Sequence, residues 1–406
     1  MTNRLYYTEP FCRRFDATVT RAFDHEGRPA VTLDRTAFYP SSGGQPFDTG
    51  RLGGTDVVET VDGGDDVIHV LVMPLESGAA VTGEIDWTRR FDHMQQHTGQ
   101  HILSGAFETL FDNLTVGFHM GGDVSTIDLA RGPSPAEIER AVDESNRIVW
   151  EDRPVAIRFV SKAEAASLSL RKEPAREGTL RLIDISGFDL CACGGTHVDR
   201  TGAIGLIAVQ SVEKMRGGSR LTFVCGSRAL RALRTYRDVV AGSVRALSVL
   251  PTELPAAIER LQEESRELRK QLKGLQEKLA EDKGARLAAA APEVGGVRLV
   301  VEALDGWDVA GLKALAAAAV ASARACVVLV CPEQRRGVTA GQPVSLVVAC
   351  SPDVPVDANV VLQQLTHRFG GRGGGKPGLA QGGGLTAPAH EVASAAWMLI
   401  ETMLAL

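Results

Sequence analysis

The sequence is poor in the features that would place it in several broad protein classes. Aromatic residues make up only 5% of its 406 positions, too few for the rows of stacking rings that sequence-blind single-strand binders use. An excess of positive charge is also missing, since 44 Lys and Arg face 50 Asp and Glu for a formal charge of −6. Chains that coat nucleic acid nonspecifically are usually basic, so any contact with nucleic acid here has to be local. The most apolar long stretch, Val309 to Ala325, is interrupted by Lys313 and Arg324 and falls short of the ~18 uninterrupted apolar residues of a membrane span. The first residues, MTNRLYYTEPF, hold no apolar core of signal-peptide length. Seven cysteines, an odd number with Cys191 and Cys193 the one close pair, do not make a disulfide framework. The chain therefore reads as soluble and cytoplasmic, with cysteine used for metal or packing and no membrane partner.

What is present is an ordinary globular composition, 44% hydrophobic and 23% charged, in a chain long enough for two to four domains. Residues 1–90 alternate short β-rich runs, such as Ala30–Leu33 and Asp66–Val72, with glycine turns, which predicts a small N-terminal β-barrel. From Asp92 the pattern becomes helical up to about Phe111. A second helix is signalled by Ser134 followed by Pro135. Strands then follow at Val155–Val160, Leu180–Ile185, Gly205–Val212 and Leu221–Cys225. The expectation for 91–225 is a two-layer domain, and the fold class is α+β. Between 226 and 290, Leu254, Ile258, Leu261, Leu268, Leu272, Leu275 and Leu279 fall on alternating four- and three-residue steps. That spacing predicts an antiparallel helical hairpin or the seam of a coiled-coil dimer. Residues 291–406 read as a separate C-terminal α/β domain with a glycine-dense loop before its last helix.

Two clusters carry chemistry. In His97-Thr-Gly-Gln-His101 the two imidazoles are four apart and share a helix face. In Cys193-Gly-Gly-Thr-His197 the paired glycines let the backbone turn tightly enough for thiolate and imidazole to converge. Together they offer three histidines and a cysteine, a donor set suited to tetrahedral Zn2+. Such a site could be structural or catalytic. The HTGQH helix lacks the Glu that follows the first His in H-E-x-x-H, which disfavours a metalloprotease. Cys191 is an alternative ligand to Cys193, and His93 could orient a ligand from outside.

These motifs, together with Thr36-AFYPSSGGQPFDT-Gly50 and GGRGGGKPGLAQGGG at 370–384, resemble the AlaX family, free-standing relatives of the editing domain of alanyl-tRNA synthetase. The likeness runs through essentially the whole chain, and the last motif is similar to the synthetase's C-terminal domain, as in long AlaX forms. No stretch offers a synthetase's ATP-binding core, so the resemblance implies editing without charging. It further implies a zinc-dependent hydrolase that removes serine, and in some members glycine, from mischarged tRNA(Ala) while sparing alanine. His97, His101, Cys193 and His197 match the family's metal positions, and Thr115 the position that reads the amino-acid side chain. Gln45 and Asp48 are candidates for contacts near the site. Arg368, Arg372 and Lys376 lie in an acid-free, glycine-rich segment suited to holding RNA phosphates. From another class, the alternative is a nonenzymatic, zinc-stabilised tRNA-binding or dimerisation module, and a homodimer through the helical or C-terminal region stays open.

Overall fold

The computed structural model describes residues 1–171, 178–332 and 343–405. The chain divides into two compact units, residues 1–246 and 247–406. That division falls inside the 226–290 stretch, at the last residue of the helix Gly226–Leu247 and ahead of the helix Leu254–Ala290.

In the first unit, β1 (Arg14–His25), β2 (Arg28–Leu33), β3 (Gly50–Leu52), β4 (Thr55–Gly63), β5 (Asp66–Leu71) and β6 (Ala80–Ile85) close a barrel in the order β1-β2-β5-β4-β3-β6. Alternation in β1 shows why: Phe15, Ala17 and Val19 are buried while the residues between them are exposed, the period of a strand with one face on a core. These side chains pack with Leu33, Phe38, Leu52 and Leu71.

Asp86 then caps α1 (Trp87–Phe111), its carboxylate accepting from the Arg89 N–H. The helix thus starts before Asp92, where the residue pattern turns helical, because its first turn faces the barrel. Arg90 and Asp48 are both completely buried. Arg90 Nε donates to Asp48 Oδ2 at 2.9 Å and Nη1 donates to the Pro10 carbonyl at 2.8 Å. The same carboxylate oxygen accepts the Tyr39 N–H at 2.7 Å. One ion pair therefore fixes helix, barrel and the 39–48 loop together.

Next come β7 (Thr115–Met120), β8 (Ser125–Leu129), α2 (Pro135–Trp150), β9 (Val155–Val160), β10 (Leu180–Ile185), β11 (Asp189–Ala192), β12 (Ile207–Met215), β13 (Gly218–Cys225) and α3 (Gly226–Leu247). The strands make two sheets, β12-β13-β8-β7 and β9-β10-β11. The capping box of Ser134 and Glu137, with Pro135 at the first position, starts α2. Met94, Ile102, Leu103 and Phe107 of α1 pack with Ile148 and Val149 of α2 and Phe223 of β13.

The second unit holds α4 (Leu254–Ala290), β14 (Glu293–Val294), β15 (Val297–Ala303), α5 (Val309–Ser322), β16 (Ala325–Pro332), β17 (Val344–Cys350), α6 (Ala358–Phe369), β18 (Arg372–Lys376), β19 (Leu379–Leu385) and α7 (Ala389–Leu404). Its six-stranded sheet runs β14-β15-β16-β17-β19-β18. Cys326, Val328 and Val330 of β16 pack in one helical layer, and Val327 and Leu329 in the other, so the central strands are apolar throughout. The glycine-dense segment, expected to be a loop, is instead the β18–β19 hairpin. A Cβ at Gly373 would lie 2.4 Å from the Gln381 carbonyl oxygen, and one at Gly375 2.4 Å from that of Leu379. Glycine here is what close strand packing demands, and composition alone reads it as irregular chain. Among the described residues no helix is long and apolar enough to cross a membrane.

Replacing Arg90 with Met leaves the Asp48 carboxylate buried without its partner. The expected cost is about 3–5 kcal/mol, read as a lower urea midpoint for the first unit of the full chain.

Candidate metal centre

α1 presents His97 and His101 one turn apart, both buried. The opposing wall is the turn after β11. Gly195 lies against the His97 ring, where a Cβ would meet Cε1 at 2.1 Å and Nδ1 at 2.3 Å. Only a residue without a side chain lets that turn approach the helix so closely. The result is a cluster of His97, His101, Cys193 and His197 whose ligand atoms all lie within 4.8 Å of one another. Cys193 Sγ stands 3.4 Å from His97 Nε2 and 3.3 Å from His197 Nε2.

Each imidazole is held from outside through its Nδ1. His97 donates to Gln45 Oε1 at 2.8 Å and His101 to Asp189 Oδ2 at 3.0 Å, while His197 Nδ1 shares a hydrogen bond with the Thr98 hydroxyl at 3.1 Å. With Nδ1 engaged outside the cluster, Nε2 of each ring is left to face the centre. These outer groups are anchored in turn. Gln45 Oε1 also accepts the Thr196 N–H at 3.0 Å, and its Nε2 donates to Thr196 Oγ1 at 2.9 Å. Arg171 donates to both oxygens of Asp189, at 2.7 and 3.2 Å.

The electrostatics match this wiring. Burial works against a thiolate at Cys193, but the adjoining His97 and His197 outweigh it and hold the thiol well below its usual 9.0. Burial likewise works against charge on His101, yet hydrogen bonds with Asp189 and Cys193 raise it to about 9. Burial dominates at His197, which is pushed down to about 3. A cation entering this cluster must displace the His101 proton, so binding weakens as pH falls.

Of the other residues singled out in the sequence, Gln45 is buried and reaches the centre through His97. Asp48, wholly buried against Arg90, holds the loop that carries Gln45 and does not face the site. Thr115 donates to Ser104 Oγ at 2.8 Å, and Gln100 Nε2 donates to the same oxygen at 2.9 Å; Ser104 follows His101 by a turn of α1, so the three polar groups continue the ligand face. Cys191 lies outside the cluster, paired with Ile183 across β10 and β11. His93 is buried with its Nδ1 unpartnered and, desolvated, is pushed down to about 3. Arg368, Arg372 and Lys376 are exposed in the second unit, the last two at the two ends of edge strand β18. The sequence reading missed Asp189, Thr98, Thr196 and Arg171, whose partners are distant in the chain. Asp189→Asn, which keeps the shape but weakens the hold on His101, should lower metal affinity about 10–100-fold with an unchanged far-UV spectrum, checked by competition against a chromophoric chelator.

Residues 180–221 match the family model described as the threonyl and alanyl tRNA synthetase second additional domain, the segment that carries β10, β11 and the Cys193–His197 turn. The alanyl-tRNA editing protein AlaX-L of Pyrococcus horikoshii is 32% identical over 395 residues, covering 94% of each chain. The alanine–tRNA ligase of Pyrococcus abyssi is also 32% identical, over 398 residues, but there the match spans 94% of this chain and 42% of the ligase. Among solved structures, the C-Ala domain of Aquifex aeolicus alanyl-tRNA synthetase aligns with 28% of this chain and 96% of that domain, at 23% identity and a TM-score of 0.24. With a full-length relative at this identity and the HTGQH and CGGTH residues drawn into one buried cluster, the chain belongs to the AlaX family of alanyl-tRNA editing proteins.

Proposed function

We propose that the protein is a zinc-dependent trans-editing hydrolase that cleaves the ester of mischarged Ser-tRNA(Ala), and of Gly-tRNA(Ala), while sparing Ala-tRNA(Ala). The observation that carries the reading is the cluster of three imidazole Nε2 atoms and one acidified thiol, each ring braced through Nδ1. That donor set suits Zn2+, which His97, His101, Cys193 and His197 would hold. When bound, zinc supplies Lewis-acid polarisation of the ester carbonyl and lowers the pKa of water.

An aminoacyl ester is already activated, so this chain's own task is chiefly to position it. The Thr115–Ser104–Gln100 chain of hydroxyl and amide groups beside His101 can bond the serine hydroxyl. Alanine would leave those groups unpaired, which rejects it. Arg368, Arg372 and Lys376, exposed in the second unit, are suited to gripping RNA phosphates, a local set of cations that lets an acidic protein bind a polyanion. The row Leu261, Leu268, Leu272 and Leu275 is between 54% and 66% exposed, which favours self-association of α4 with a second copy as an added property.

Purified, zinc-loaded protein should deacylate seryl-tRNA(Ala) at least about 100-fold faster in kcat/KM than alanyl-tRNA(Ala). Thr115→Val should erase most of that preference, and the Arg372→Glu, Lys376→Glu pair should raise KM with kcat little changed. If tRNA binds and no ester is cleaved, the nonenzymatic binding-module alternative holds.

A further inference from the structure

The first unit carries a cleft of about 520 Å³ whose lining includes Arg4, Tyr7, Asp65 and Phe159, and Arg181, outside that lining, has its Cζ 5.7 Å from the Tyr7 ring centroid. We infer that this cleft binds an unstacked nucleotide of the tRNA 3′ end, held by the rings of Tyr7 and Phe159 with the guanidinium of Arg181 taking its phosphate or ribose oxygen. The inference rests on the editing reading above for the identity of the RNA.

Three observations point to a nucleotide. First, Phe159 is 50% exposed on β9, directly opposite Arg181 of β10 in the antiparallel register. Cross-strand neighbours share a face of the sheet, so an open aromatic ring and a guanidinium stand side by side. Second, the Tyr7 ring is flanked by two cations, with Arg4 Cζ 6.0 Å and Arg181 Cζ 5.7 Å from its centroid. Arg4 is engaged by Asp62, 2.8 Å away. Arg181 is only partly engaged: Nε donates to the Tyr7 carbonyl at 3.0 Å and Nη1 to the Cys193 carbonyl at 2.6 Å, while Nη2 is buried without a partner. A buried donor left unsatisfied is costly, and a ligand oxygen would satisfy it. Third, the cleft is joined to the reaction centre by these same bonds. Arg181 holds the carbonyl of Cys193, its own carbonyl accepts the Cys193 N–H at 3.1 Å, and a Cβ on Gly194 would touch the Tyr7 ring at 3.8 Å.

Splayed single-stranded bases are recognised by stacking on aromatic faces and guanidinium planes. Tyr7 and Phe159 offer two such faces at one rim, in a protein whose composition gives it few others. This is a stacking site for one or two nucleotides, which fits the end of a folded RNA rather than a long single strand.

The test uses full-length protein and tRNA(Ala) carrying 2-aminopurine at its 3′-terminal position, whose fluorescence falls on stacking. Wild-type protein should quench it, and Tyr7→Ala and Phe159→Ala should each lose the quench and raise KM for seryl-tRNA about 10-fold with kcat within about 3-fold. Arg181→Lys, which keeps the charge but loses the free donor, should raise KM while metal content stays at the wild-type level. If both ring variants quench and hydrolyse as wild type does, the inference is overturned and the editing reading stands. If wild type quenches but cleaves no ester, the nucleotide site stands and the editing reading fails.

Discussion

The organisation of the first unit depends on one constraint: α1 is buried without a break from His93 to Phe107, and that stretch is rich in polar side chains. A buried polar group without a partner is costly, so nearly every one of these residues has been given one from elsewhere in the chain. Gln96 exchanges hydrogen bonds with the backbone of Cys225, at 2.9 and 3.0 Å. Gln95 donates to the Ala203 carbonyl at 2.9 Å. Just before the buried stretch, Asp92 binds the buried Arg228 at the start of α3. The barrel is tied on by Arg90 and Asp48. His97, Thr98 and His101 find theirs at Gln45, His197 and Asp189. The metal cluster is the part of this network in which the partners are other ligands.

That network also explains how the parts of the cluster are held together. The barrel loop delivers Gln45, which positions both His97 and the Thr196 backbone, so loop, helix and glycine turn are locked by one amide. Asp48 and Arg90 sit beneath that loop and set where the amide stands. A site of this kind is preorganised: its rings are oriented before any ion or substrate arrives, and the small Gly195 is the clearance on which the whole approach depends.

Much of this was legible in the residues. The spacing of His97 and His101 and the glycines before His197 pointed to one cluster because each has a local geometric meaning. Strands such as Val155–Val160 and Leu180–Ile185 could be read from their β-rich, apolar character. The start of α1 was not, since Arg89, Arg90 and Phe91 make no amphipathic stripe and the pairing that buries Arg90 lies across 42 positions of sequence. Gln45 and Asp48 were candidates for contacts near the site, but their roles as anchors depend on long-range partners. Asp189 gave no signal at all: an acid in a short strand looks like any other. In the second unit, glycine marked a hairpin as a loop because composition reports flexibility and does not report the crowding that excludes side chains.

The account's central claim is that four named side chains form one metal centre. X-ray absorption of the purified full-length protein at the zinc edge tests it most directly. The proposed function predicts one zinc per chain, bound by one sulfur and three imidazole nitrogens, with the sulfur shell lost in Cys193→Ala and kept in Cys191→Ala. A protein that binds no zinc, or whose sulfur shell survives the loss of Cys193, would contradict it.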